Sequence, residues 1–409
     1  MKFRSLFNKY FLFGICLTFG AATAFAQKPG SGVPRQEKLL NGLKVLMWSD
    51  PSASDVKVSI RVHSGAAFDP QAKEGVMQLL ADNIFPSAAS RSYFADDLGG
   101  NLEVITNYDY IQINASARPG EFVTLVQTLA QAVSNPTIDK ETTAALKKAL
   151  SERLGLLERD SVYVADQAAV RRLFGTFPYG RPQMGSVETL THIDFADLQF
   201  ARDRFLCADN ATVAISGNFN SDLGFRAARR YFGAWLKSDK RVPFTFRQPD
   251  NPDTRPIEVN LAGASPRTSF VLRGLAKNDP DYAASLILEK VLRERIEKIA
   301  AGSSVSNSAR VLPGVVVINV PGAVPFPFSS ISDRVSETEF NKVRADVAAE
   351  VSRISLVDEW LDMDTYKTTL VVDAQTVQKL TLADVQRVAD RLAKNPIVSV
   401  VLRTVPVVE

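Results

Sequence analysis

The segment Glu74-Gly75-Val76-Met77-Gln78-Leu79-Leu80-Ala81-Asp82-Asn83-Ile84-Phe85-Pro86 decides the fold. Val76, Met77, Leu79, Leu80 and Ile84 recur at helical spacing, and Pro86 stops the run. Just upstream the period is two. Residues 56–63 alternate as a half-buried strand, and residues 38–50 read as a hairpin about the turn pair Asn41-Gly42. Downstream, after Gly99-Gly100, residues 101–117 return to strand character. Helices are expected over 122–133, 140–157, 162–174 and 195–205, with a turn at Phe177-Pro178-Tyr179-Gly180. A buried strand over 212–216, closed by Gly217, and a helix over 223–232 complete this half.

A Pro- and Asp-rich stretch, 238–256, reads as a linker. Beyond it the order repeats in shortened form: strands over 257–261 and 268–272, a helix over 282–298 and a strand within 315–320. Helices over 337–353 and 382–394 follow, then a strand over 397–403. Two unequal copies of one plan predict an α+β protein, each half a mostly antiparallel sheet packed by helices. The expected division is 27–240 for the first domain, 241–256 for the linker and 257–409 for the second domain.

The first 26 residues stand apart. Lys2, Arg4 and Lys9 form a basic start, 10–19 is almost unbroken apolar, and Ala24-Phe25-Ala26 is a small-x-small pattern. This is a signal peptide in outline, with cleavage expected after Ala26. A membrane anchor is the competing reading; so short a run with a cleavage pattern behind it favours removal. Cys16 lies within the apolar run, behind a poor lipoprotein signal, so the mature chain keeps Cys207 alone and forms no internal disulfide. Export to a periplasm, or secretion, is expected, with no later membrane span. With 48 basic against 45 acidic residues the net charge is +3, which gives no support to a nucleic-acid partner.

Asn41-Gly42-Leu43-Lys44-Val45, Gly99-Gly100-Asn101-Leu102 and Pro178-Tyr179-Gly180-Arg181-Pro182 occur in that order. Gly185 with Glu188, Asp209-Asn210-Ala211 and Gly217-Asn218-Phe219 follow, then Lys277-Asn278-Asp279-Pro280-Asp281-Tyr282 in the second half. As an ordered set they resemble the insulinase, pitrilysin and mitochondrial processing peptidase family, most closely its short bacterial members. The resemblance implies two homologous domains forming a clamshell around a peptide chamber. Active members carry H-x-x-E-H on the helix after the first strands. Two imidazoles one turn apart grip zinc, and the intervening Glu serves as base toward the zinc-bound water. Aligned on Gly75 and Phe85, those positions hold Gln78, Ala81 and Asp82 here. The distal Glu position falls at Arg153, beside Glu152. Zinc, expected in the family, therefore lacks its ligands, and no cofactor is expected.

Other metal sites have little to draw on. His63 and His192 read as structural or surface histidines, and Cys207 as a small buried residue. Relatives hold substrate with an Arg and a Tyr seven residues apart in the second domain. Arg293 matches the first, but Ala300 stands at the second, so Arg293 also reads as a solvated helix residue. The strand after Gly99-Gly100 presents its edge to extended peptides in relatives. Its counterparts are Leu102, Glu103, Val104, Ile105, Thr106 and Asn107, where backbone geometry matters more than side chains; an ordinary paired strand is the plainer alternative. Three functions follow, in this order: a non-catalytic subunit in a heterodimer with an active zinc-binding relative; a stand-alone peptide-binding or assembly protein; and a peptidase with a rearranged metal site using Asp82 and Glu152.

Overall fold

The computed structural model describes residues 32–243, 246–322 and 333–406. The signal-peptide expectation for 1–26 lies outside them. The first sheet has six strands in the order β1 (Arg35–Lys38), β2 (Lys44–Ser49), β6 (Ala211–Gly217), β3 (Val56–Val62), β5 (Ile111–Ala117) and β4 (Leu102–Thr106). β2 and β6 are parallel; every other pair in it is antiparallel. The second sheet runs β7 (Ile257–Ala262), β11 (Val398–Val405), β8 (Arg267–Arg273), β10 (Val315–Pro321) and β9 (Ser304–Ser308), again with one parallel pair, β7 with β11. It repeats the first strand for strand, without a counterpart of β1 among the described residues. The chain is an α+β protein of two mixed sheets, each packed by helices.

The first half contributes α1 (Val76–Ile84), α2 (Ala88–Asp96), α3 (Phe122–Ser134), α4 (Lys140–Leu157), α5 (Ser161–Phe174), α6 (Val187–Thr191), α7 (Phe195–Phe205) and α8 (Ser221–Phe232), and all but α5 pack around the first sheet. α9 (Tyr282–Ile299) and the helices Glu337–Val351 and Leu382–Leu392 pack the second. Local chemistry sets many boundaries. Asp139 and Asp160 accept backbone N–H bonds at the starts of α4 and α5, and Ser336 and Thr381 form capping boxes. The expected strand over 101–117 is two strands. Asn107 Oδ1 accepts the N–H groups of Asp109 and Tyr110, turning the chain between β4 and β5. The sequence pattern also gave no sign of α2, β9 and the helix Leu356–Tyr366.

That last helix matters most, because the halves exchange helices. α5, from the first half, lies on the second sheet, where Ala169, Val170 and Leu173 join Val271, Val315, Val398 and Val400 in one apolar cluster. Leu356–Tyr366, from the second half, lies on the first sheet, with Leu361 against Leu46 and Ala214. A further tie crosses the interface. Tyr179 donates its hydroxyl to Asp109 at 2.9 Å and accepts the N–H of Leu312 at 3.2 Å, while the Arg310 guanidinium lies over the rings of Tyr108 and Tyr179 at 3.7 and 4.7 Å. No helix among the described residues is long and apolar enough to cross a membrane.

Candidate functional site

α1 is seated by its N-terminus. The buried Asp69 carboxylate accepts the N–H groups of Gly75 and Met77, both at 2.8 Å. It thereby satisfies donors that the first helical turn leaves open. Burial outweighs those bonds and pushes the Asp69 pKa up to about 7. Gly75 has φ +107°, and a Cβ there would meet Leu190 Cδ2 and the Met184 carbonyl oxygen at 2.9 Å. Only glycine fits without a shift.

Down the helix, Gln78 is buried and Ala81 is fully enclosed. Gln78 Nε2 donates to Asp82 Oδ2 at 3.2 Å, and Arg91 Nη2 stands 3.9 Å from the other carboxylate oxygen. Burial raises the Asp82 pKa, against the pull of Gln78, Arg91 and Arg153. Arg153 reaches over from α4, its guanidinium against the Met184 sulfur, and Glu152 beside it is exposed. The four degenerate positions thus gather at one place as an amide, a methyl, a carboxylate and a guanidinium. This set does not fit a zinc ion. Zinc takes three or four lone-pair donors, whereas a guanidinium offers none and repels a cation. Among the described residues no group of three or more His, Cys, Asp or Glu could hold a metal.

The remaining candidates lie apart from α1. His63 sits between Thr365 Oγ1 (3.1 Å) and Thr212 Oγ1 (3.0 Å), its pKa lowered to about 3 by burial and by nearby Lys367, Arg61 and Lys44. His192 is exposed, its Nδ1 3.2 Å from the Ala72 carbonyl oxygen. Cys207 is buried against the Asp203 carbonyl, and burial raises its thiol pKa to about 11, which disfavours a thiolate nucleophile. Arg293 is half exposed and tied within its own half, to Glu289 at 2.5 Å and the Val305 carbonyl at 2.9 Å.

Among the described residues β4 is the outer strand of the first sheet and pairs only with β5. The Asn101 carbonyl accepts from Ser116, and the Asn107 N–H donates to Tyr110. With a period of two, the main-chain groups of Glu103 and Ile105 also face β5, and those of Leu102, Val104 and Thr106 face outward. One outward group has a partner, the Thr106 carbonyl, which accepts from Gln183 Nε2 at 2.7 Å. Sequence reasoning missed Asp69, Arg91, Met184 and Gln183. An acid six residues before the N-cap Gly75 was the one signal available, and it is weak.

A family model described as Insulinase (Peptidase family M16) matches residues 44–185, and one described as Peptidase M16 inactive domain matches residues 192–316. An uncharacterized zinc protease of Mycobacterium tuberculosis is 24% identical over 213 residues, 51% of this chain and 49% of that protein. The chain spans about half the length of the curated relatives it matches. A protease from Helicobacter pylori superposes with TM-score 0.80 at 16% identity, over 91% of this chain and 100% of that one. A chain of complex III from Candida albicans does so with TM-score 0.71 at 13% identity, over 90% and 95%. At these identities the structural likeness is one of fold. By its sequence the chain belongs to the insulinase family of peptidases, family M16.

Proposed function

We propose that this chain is a non-catalytic member of its family, exported by its leader, that pairs with a zinc-binding relative and presents the β4 edge to extended peptides. It binds no zinc in this role. The observation that carries the reading is the surroundings of Asp82. Its carboxylate accepts from Gln78 and faces Arg91 and Arg153, while the enclosed methyl of Ala81 stands where hydrolysis needs a base. Such a site has neither metal donors nor a proton acceptor for water. The β4 edge supports the peptide-holding part, because strand addition asks only for outward main-chain groups, and Leu102 and Val104 offer them. A chain of the same fold stands in complex III, which supports partnership as a role for this scaffold.

The test is affinity purification of the tagged chain from its native host, with mass spectrometry and metal quantitation of the eluate. The expected result is a co-purifying family member with an intact histidine pair that accounts for all the zinc. Recovery of the chain alone, carrying one zinc per chain and cleaving peptides, would overturn the proposal. Recovery alone without zinc, yet binding peptides, would transfer the role to a stand-alone peptide-binding protein.

A further inference from the structure

The two exchanged helices are held by different means. α5 rests on the second sheet mainly through apolar side chains, with Asp166 accepting from Ser269 and Asn319. The Leu356–Tyr366 helix makes a small apolar contact and otherwise meets the first sheet through charge. Arg61, on β3 and 2% exposed, reaches Asp362 at 2.6 Å and Asp358 at 3.5 Å, lies over the Tyr110 ring at 4.1 Å and donates to Gln112 at 2.6 Å. From the helix's own half, Lys277 stands 3.4 Å from Asp362, against the rings of Tyr282 and Tyr366. Lys44 pairs with Asp364 at 2.7 Å.

His63 lies in the middle. The Thr365 hydroxyl already donates to the Leu361 carbonyl, so it accepts the hydrogen on His63 Nδ1. The single hydroxyl hydrogen of Thr212 has two acceptors, His63 Nε2 and Asp364 Oδ2, each at 3.0 Å. A cavity of about 350 Å³ lined by His63, Lys44, Thr212, Asp209, Asp364 and Lys367 reaches this group.

The geometry points to a proton-sensitive clasp: acidification uncouples the Leu356–Tyr366 helix from the first sheet while the α5 contact on the second sheet holds. One buried group, the imidazole held between Thr365 and Thr212, drives it. Protonating His63 sets an imidazolium among Arg61, Lys44 and Lys367, with Asp364 as the opposing charge. The pKa of His63 is lowered in the docked state, so its contribution is complete above the ordinary value of about 6.5 and is lost as pH falls toward about 3. Through that window the ratio of released to docked helix rises about tenfold per pH unit. α5 responds the other way. Asp166, which accepts from Ser269 and Asn319 and has Arg267 and Asp160 nearby, has its pKa raised by burial, so acid favours its docked state.

The clasp carries its own reporter. Trp48 on β2 and Trp360 on the helix meet edge to face, ring centroids 6.3 Å apart, and the third tryptophan, Trp235, is buried elsewhere. In the mature chain carrying Trp235→Phe, the Trp48–Trp360 exciton signal in circular dichroism is expected to vanish on acidification about one pH unit or more above the loss of helix signal. His63→Asn should flatten that dependence, and Asp166→Asn should leave it in place. Loss of both signals in one transition would overturn the proposal, as would an unchanged slope in His63→Asn. Hydrogen exchange across 356–366 in the unsubstituted chain separates the same two outcomes should Trp235→Phe fail to fold: early loss of protection there supports the clasp, and simultaneous loss everywhere sinks it.

Discussion

Gln78 and Asp82 stand one turn apart on α1 and bond to each other, Nε2 to Oδ2 at 3.2 Å. The two positions that would grip a metal from one helix face are thus occupied with one another, with Arg91 and Arg153 supplying the nearby positive charge. Protein incubated with zinc and then desalted is therefore expected to retain no stoichiometric ion by elemental analysis. One ion per chain, lost in Asp82→Ala, would contradict this.

On the free edge of β4, the Val104 N–H faces away from β5, so proline there removes no ladder bond. Val104→Pro should shift unfolding free energy by less than about 1 kcal/mol yet abolish docking of an extended peptide followed by fluorescence anisotropy. Equal binding by both proteins would place the peptide elsewhere.

Gly75 combines φ +107° with two contacts at 2.9 Å from any added Cβ, one of them to backbone. Gly75→Ala is expected to lower stability in urea by about 1–3 kcal/mol, reflecting the left-handed backbone and the displaced Met184 carbonyl. An unaffected denaturation midpoint would show that the helix start can shift freely.

Asp69 makes a pH-dependent contribution whose sign follows from its raised pKa. An acid whose folded value lies above its unfolded one stabilises fully below about 3.8, and that contribution is lost as pH rises through about 7. The stability of the native protein relative to Asp69→Asn should therefore fall between those limits, by up to about 4 kcal/mol. Denaturant titrations at several pH values in that window would read it; a flat difference would mean that Asp69 stays ionised throughout.

Tyr179 joins the halves through its hydroxyl, with Asp109 on one side and the Leu312 N–H on the other. Tyr179→Phe keeps the ring but leaves the Leu312 N–H and one Asp109 oxygen without that partner, at a cost of about 1–3 kcal/mol. Thermal unfolding should show that loss, with no change in the secondary-structure spectrum before melting.

Much of the fold was legible. Alternation over 56–62 and 257–261, and helical spacing at Val76, Leu80 and Ile84, record which side of each element is buried. That record is local and survives without the tertiary fold. The Leu356–Tyr366 helix escaped for the same reason. Its sheet-facing residues include Asp358, Asp362, Asp364 and Thr365, so it carries no clear apolar stripe and its fit depends on Arg61, about 300 residues earlier.

For the site, the sequence alone settled which chemical groups stand at 78, 81, 82 and 153, since side-chain identity needs no fold to be known. Only the tertiary structure decided that those four groups meet, that Asp82 is shared among Gln78, Arg91 and Arg153, and that β4 ends its sheet. Each of these is a relation between segments far apart in the chain, fixed by packing, which no local periodicity encodes.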